Sequence, residues 1–240
     1  MSELLVATRN LGKFRELKES LTDIPFCLLS LTDMGISTEV VESGATFEEN
    51  ASLKATTYAS LSGMLTLADD SGLEVDALQG KPGIMSSRYA GDKSGDTERI
   101  SLLLKNLAGV PLKSRNARFR TVIAIAWPGR PITLYTGECH GVITIEPKGG
   151  SGFGYDPIFF LPEVGRTMAE LSPREKNRIS HRGIAARKAA AALRKAITSA
   201  PVLNPAFRKQ SLRSSKLIRT RTFHRVSNVD IFSVPVFERI

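Results

Sequence analysis

The stretch LTLADDSGLEVDALQGKPG, residues 65–83, decides how the chain is read. The apolar run MLTLA, residues 64–68, has the length and composition of a buried strand. It delivers two adjacent carboxylates, Asp69 and Asp70, and then the small, flexible pair Ser71–Gly72. Like charges held close repel, and one of them takes a perturbed pKa unless a cation sits between them. Two readings are open. Asp and Ser-Gly are turn formers, so the pair can be a solvated turn at a strand end. Alternatively, adjacent strand residues point to opposite faces. The cleft-facing aspartate can then hold a hard cation such as Mg²⁺, which takes one or two carboxylates and completes its shell with water and phosphate oxygens.

Working outward, ELLVA (residues 3–7) reads as a short buried strand that ends in TRNLGK. A helix follows, with Phe14, Leu17 and Leu21 on one face. FCLLSL (26–31) reads as a second strand. TFEENASLKATTYASLSG (46–63) reads as a helix, with Thr46 and Glu49 as a capping box and Gly63 as its stop. TERISLLLKNLAG (97–109) is a further helix. ARFRTVIAIAWPG (117–129) and ITLYTGECHGVITIEP (132–147) read as antiparallel strands joined by a Pro/Gly turn. Residues 167–197 read as two helical stretches parted near SHRG. Strands that alternate with helices and then give way to a hairpin predict an α/β fold with a mixed sheet.

The 240 residues suffice for one large domain or two small ones, and an apolar content of 42% is ample for a core. The net charge of +9 is unevenly placed. Residues 201–240 hold eight Lys or Arg and two acids, a balance of +6, which leaves +3 for the rest. The excess lies in NPAFRKQSLRSSKLIRTRTFHRV, which reads as a solvated extension; nucleic-acid binding through it is the rival reading. No run approaches a transmembrane helix, and MSELLVATRN lacks the basic start of a signal peptide. Cys27 and Cys139 have no metal-type spacing; they read as two reduced thiols of a cytoplasmic protein, with a single disulfide as the alternative.

Four segments carry chemistry beside the aspartates. In ATRNLGKFREL (7–17) a strand turns into a helix N-terminus with Lys13 beside it, a phosphate-cradle arrangement without the Walker A spacing. Glu42, in VVESGATFEEN (40–50), lies just before a Gly turn; it is a candidate acid or simply solvated. SGFGYDPIFF (151–160) presents Phe153 between glycines, where a base can stack, with Asp156 placed by Pro157; the alternative is a core Phe in a flexible loop. EKNRISHRG (175–183) gathers Lys176, His181 and Arg182 at a helix junction, as a donor cluster or as basic surface.

In order and spacing, ATRNLGKFREL, ESGATFEENASLKA, LADDSGLEVDALQGKPGI, SGFGYDPIFF and ISHRG resemble the inosine triphosphate pyrophosphatase family over about residues 1–198. The resemblance implies an elongated, two-lobed α/β fold. A long twisted mixed β-sheet would be flanked by helices, with an active-site cleft between the lobes. It implies a cytoplasmic homodimer that binds a nucleoside triphosphate and uses Mg²⁺ to release pyrophosphate from ITP, dITP or XTP. Asp70 would be the proton acceptor and, with Glu42, metal-associated. Thr8, Arg9, Asn10, Leu11, Gly12, Lys13, Lys54, Asp69 and Ser71 match substrate-binding positions of the cleft. Phe153, Gly154, Tyr155, Asp156, Lys176, His181 and Arg182 match positions around the base. Met85 stands where that family more often has an aromatic residue. Residues 199–240 lie past the point where its members usually end, and are read as a separate extension. A Maf-like nucleotide pyrophosphatase is the nearest rival, and the SHR segment speaks against it.

Overall fold

The computed structural model describes residues 2–127 and 130–198. The basic extension and the Pro128–Gly129 turn lie outside the described residues. Among the described residues, seven strands form one open sheet in the order β2-β1-β3-β4-β5-β6-β7. They are β1 (Ser2–Val6), β2 (Phe26–Ser30), β3 (Thr66–Val75), β4 (Asn116–Ala126), β5 (Thr133–Ile143), β6 (Phe159–Leu161) and β7 (Arg166–Thr167). β1 pairs in parallel with β2 and β3, and every later pairing is antiparallel. The sheet is therefore mixed, as the element order predicts.

Among the described residues, five α-helices flank it: α1 (Leu11–Ser20), α2 (Phe47–Ser62), α3 (Asp96–Asn106), α4 (Pro173–Ile179) and α5 (His181–Thr198). The period-2 alternation of the strands sorts them onto opposite faces. Leu4, Val6, Leu67, Ile123 and Ile125 pack under Leu17 of α1 and the alanine row Ala185, Ala186, Ala189 and Ala190 of α5. Leu5, Ala7, Ala68, Val122 and Ala124 pack under Phe47, Ala51, Ala55 and Tyr58 of α2. A third cluster joins Leu103 and Leu107, at the end of α3, to Leu73, Phe119, Ile143 and Phe159. Each fully buried Leu, Ile or Phe contributes about 1.5–3 kcal/mol of transfer free energy.

The helix signals are largely met, with one correction. Thr46 caps α2 by accepting from Glu49 N–H (3.1 Å), and Gly63 ends it in the left-handed region at φ 69°. The Glu49 carboxylate, however, reaches past the cap to Ala45 N–H (2.7 Å), so the capping box is half formed.

The larger correction concerns the aspartates. β3 does not end at Ala68; it runs unbroken to Val75, paired with β4 at every residue. Asp69 and Asp70 sit in the middle of a strand, opposite Ile123 and Val122, and are only 2% and 5% exposed. The solvated turn is thus excluded. Ser71–Gly72 is not a turn but a narrow point in the strand. A Cβ at Gly72 would collide with the Gly83 carbonyl and lie 2.6 Å from Ser86 Oγ. The missing side chain lets the 3₁₀ segment Gly83–Arg88 lie directly on β3.

Candidate active site

Strand alternation sends the two aspartates to different helices. Asp69 shares the face of Leu67, and its Oδ2 meets Lys13 Nζ of α1 at 3.2 Å and Arg182 Nε of α5 at 3.3 Å. Ser71 Oγ, on the same face, donates to Asp69 (2.8 Å). Asp70 shares the face of Ala68. Its Oδ1 lies 3.2 Å from Lys54 Nζ, and its Oδ2 accepts from Asn50 Nδ2 at 3.3 Å, both from α2. Lys54 also binds Glu42, so one ammonium bridges two carboxylates. Asn50 and Lys54 are four residues apart on one helical face.

The two carboxyls are tuned in opposite directions. Burial raises both, but around Asp69 the charges of Lys13, Arg182 and Lys54 outweigh it and hold the group well below the usual carboxylate range. Around Asp70 burial wins over Lys54 and Lys13, and nearby Glu42 adds repulsion, so its pKa is raised. Asp69 is a fixed anion, whereas Asp70 is a stronger base than a solvated carboxylate.

The N-terminus of α1 completes this side. Asn10 caps it, its Oδ1 accepting from Lys13 N–H (3.0 Å), and Thr8 Oγ1 accepts from Asn10 N–H (3.3 Å). Helix N-termini present N–H groups and a partial positive charge to anions. Two residues of this turn point elsewhere. Arg9 reaches away to the carbonyls of Ser37 (2.5 Å) and Thr38 (2.7 Å), and Leu11 is 70% exposed.

Across the cavity stands the loop with Phe153. Its ring lies 4.7 Å from Lys176 Nζ and 5.5 Å from Arg182 Cζ, measured to the centroid. It also lies against Gly12, where a Cβ would come within 2.6 Å of Cδ1. Asp156 is buried, accepts from Phe153 N–H (2.9 Å) and pairs with Lys176. Tyr155 points inward and donates to the Ser86 carbonyl (2.9 Å), which makes it a brace. Lys176 and Arg182 are not basic surface: both are buried, and both bind Glu16 of α1. His181 is buried and stacked on Phe119 at 4.8 Å. Burial, then Arg182 and Lys176, push its pKa well below the usual imidazole value, so it is neutral. Its Nδ1 has no hydrogen-bond partner among the described residues. One cavity is lined by Asn10, Lys13, Phe153, Asp156, His181 and Arg182, among others.

The structure lines one cavity with Asn10, Lys13, Ser71, the Phe153–Asp156 loop, Lys176, His181 and Arg182. Asp69 lies behind that wall, bound to Lys13 and Arg182, whereas Glu42, Lys54 and Asp70 form a separate charge cluster beside α2, outside the cavity lining. Arg9 and Leu11 point elsewhere. Sequence reasoning missed Glu16, Asn50 and Asp96. Glu16 is three residues from Lys13 and Asn50 four from Lys54, so helical spacing carried a signal for both. Asp96 binds Gly154 N–H, 58 residues away, with no local signal.

Taken together, these features define a mixed α/β protein with one cavity lined by the start of α1, the Phe153 loop and the α4–α5 junction, beside a strand that carries two buried carboxylates. The chain belongs to the Ham1 family, whose family model matches residues 4–192. It is 52% identical over 183 residues to a dITP/XTP pyrophosphatase of Geobacter sulfurreducens, covering 76% of this chain and 92% of that protein. A dITP/XTP pyrophosphatase of Bacillus licheniformis is 48% identical over 193 residues, covering 80% and 98%. Among solved structures, a HAM1 protein from Coxiella burnetii superposes with TM-score 0.74 at 42% identity, covering 80% of this chain and 98% of that one. The Staphylococcus aureus Ham1 protein gives 0.72 at 39%, with the same coverage.

Proposed function

We propose that this chain is a nucleoside-triphosphate pyrophosphatase that hydrolyses non-standard purine nucleotides, ITP, dITP and XTP, to the monophosphate and pyrophosphate. The reading is carried by 52% identity across nearly the whole length of a dITP/XTP pyrophosphatase. The geometry supplies a matching division of labour. Asp70, its basicity raised by burial, takes the proton of the water that attacks the α-phosphorus. The new O–P bond displaces pyrophosphate as the α–β anhydride bond breaks. Lys13, Lys54 and the start of α1 receive the spreading phosphate charge, with Thr8 and Asn10 shaping that turn. Asp69 and Ser71 hold Lys13 and Arg182 in place.

A divalent cation, Mg²⁺ in this proposal, fits the donor set. Glu42 and Asp70 are hard oxygen donors that already converge on one cation, the Lys54 ammonium. Among the described residues no group of three His, Cys, Asp or Glu could form a protein-only cage. Two carboxylates plus phosphate oxygens suit Mg²⁺, which supplies charge neutralisation when bound.

Base choice is assigned to Phe153, which stacks, and to Lys176, His181 and Arg182 at the purine edge. The neutral His181 imidazole, which lines the cavity, is assigned the donation of a ring N–H to a 6-keto oxygen. Adenine offers an amino group there and leaves it unpaired, at a cost of about 1–3 kcal/mol. We further assign catalysis to residues 1–198, treat 199–240 as an added extension, and propose a cytoplasmic homodimer. Among the described residues no helix is long and apolar enough to cross a membrane.

Two measurements check this. Pyrophosphate release with Mg²⁺ is expected to favour ITP, dITP and XTP over ATP by about 5- to 150-fold, the equivalent of one unpaired group. Equal kcat/KM for ATP and ITP would sink the assignment. Gly12→Ala is expected to displace the Phe153 ring and raise KM for ITP about tenfold, with kcat within twofold. An unchanged KM would remove Phe153 from base binding.

A further inference from the structure

One wall of the cavity, formed in part by Asp96 and Arg99, contains a connection that the proposed reaction does not use. Asp96, the first residue of α3, accepts from Gly154 N–H at 2.6 Å. The same carboxylate binds the Arg99 guanidinium, one turn along. Arg99 in turn donates to the Ser87 carbonyl and, through Nε, to the Gly95 carbonyl (3.1 Å). The neighbouring Tyr155 hydroxyl meets the Ser86 carbonyl, and Ser86 Oγ accepts from Leu73 N–H of β3 at 2.9 Å. The Phe153–Gly154 peptides are therefore held from two sides. Asp156 takes the Phe153 N–H from within the loop, and Asp96 takes the Gly154 N–H from outside it.

This arrangement matters because Gly152 and Gly154 both have positive φ, 79° and 65°, and leave the loop few preferences of its own. A ring that must meet a base face needs its backbone fixed by something else. Asp156 fixes the Phe153 N–H, the Tyr155 hydroxyl anchors the far side of the loop on Ser86, and Asp96 is the side chain from another element that holds the Gly154 N–H itself. Asp96 and Arg99 also line the cavity, so the tie is beside the ligand and not remote from it.

We propose that Asp96, braced by Arg99, is a positioning residue that locks the Phe153–Gly154 loop in its base-stacking position and so sets affinity for the purine. The proposal rests on the pyrophosphatase reading for its substrate, but the lock itself can be tested without one. In the nucleotide-free full chain, Asp96→Ala is expected to speed amide hydrogen exchange across residues 150–157 about tenfold. Asp96→Asn retains an acceptor oxygen for Gly154 N–H and is expected to stay near wild type. Faster exchange in both variants, or in neither, overturns the lock. In steady-state ITP hydrolysis, Asp96→Ala is expected to raise KM about tenfold and leave kcat within twofold, with Asp96→Asn restoring KM. A fall in kcat at constant KM would overturn the positioning role, as would a lowered melting temperature with unchanged KM, which marks a purely structural helix start. Failure of the wild-type chain to hydrolyse ITP would instead refute the pyrophosphatase reading, and the exchange contrast would still decide the lock.

Discussion

Asp70→Asn is expected to lower kcat for ITP by about 10²- to 10⁴-fold, the usual contribution of a general base, while the folded protein becomes no less stable. The second half of this expectation follows from the environment of the group. The Asp70 pKa is raised in the fold, chiefly by burial. A carboxyl whose folded pKa lies above its unfolded value opposes folding wherever it is ionised, and this cost is relieved as pH falls through the folded pKa. The neutral amide removes that cost at pH 7 and keeps an oxygen to accept from Asn50, and the Lys54 ammonium that loses Asp70 retains Glu42 as its counter-ion. Activity assays paired with thermal melting check both halves. A variant with near-full turnover would remove Asp70 from proton transfer, and a large drop in melting temperature would make it a structural anion. Loss of function with equal or greater stability is the signature of a group held at a cost for chemistry.

Asp69→Asn is expected to behave in the opposite way. Lys13 and Arg182 keep this carboxyl ionised within the fold, against its burial. Removing the charge leaves a buried lysine and a buried guanidinium short of one partner, although Arg182 retains Glu16. Breaking one side of a buried ion pair costs about 3–5 kcal/mol. In a domain of this size that lowers the melting temperature by roughly 6–20 °C. The sign of the pH dependence follows from the depressed pKa. The stabilisation is present in full above the ordinary carboxylate range near pH 4 and is lost only as pH falls below it. The gap between wild type and variant is therefore expected to persist from neutral pH to about pH 5 and to close under acid. Urea titrations at several pH values read this directly. A variant as stable as wild type at pH 7 would show that Asp69 is not the counter-ion of the cluster. Adjacent residues of one strand are thus expected to give mutants of opposite character: one inactive and stable, the other unstable.

Much of the architecture is legible in local signals. Thr46 and Gly63 mark the ends of α2, the runs 117–129 and 132–147 mark the antiparallel β4–β5 pair, which is realised over Asn116–Ala126 and Thr133–Ile143, and Ser180 separates α4 from α5. Each depends on residues within a few positions of one another. The aspartate pair misleads for the same reason. Its immediate neighbours, Ser71 and Gly72, favour a turn, and the strand persists because β4, some fifty residues on, pairs with it throughout. A local preference for a turn is outweighed by ten residues of ladder and a buried face.

The candidate site divides along the same line. Which residue types it needs, paired acids, lysines beside a helix start, an aromatic between glycines and an Arg-His pair, are all written in the sequence. So, with the five ordered motifs, is the family. What the tertiary structure alone decides is the pairing of charges: Lys13 and Arg182 with Asp69, Lys54 and Asn50 with Asp70, Glu16 between Lys176 and Arg182, Asp96 beneath Gly154. The physical reason is that a carboxylate's character comes from burial and from charges within a few ångströms. Those neighbours come from α1, α2 and α5, brought by packing to opposite faces of one strand. The two aspartates are alike in sequence, and become a carboxylate held ionised by two cations and a carboxyl of raised pKa only when the sheet separates them.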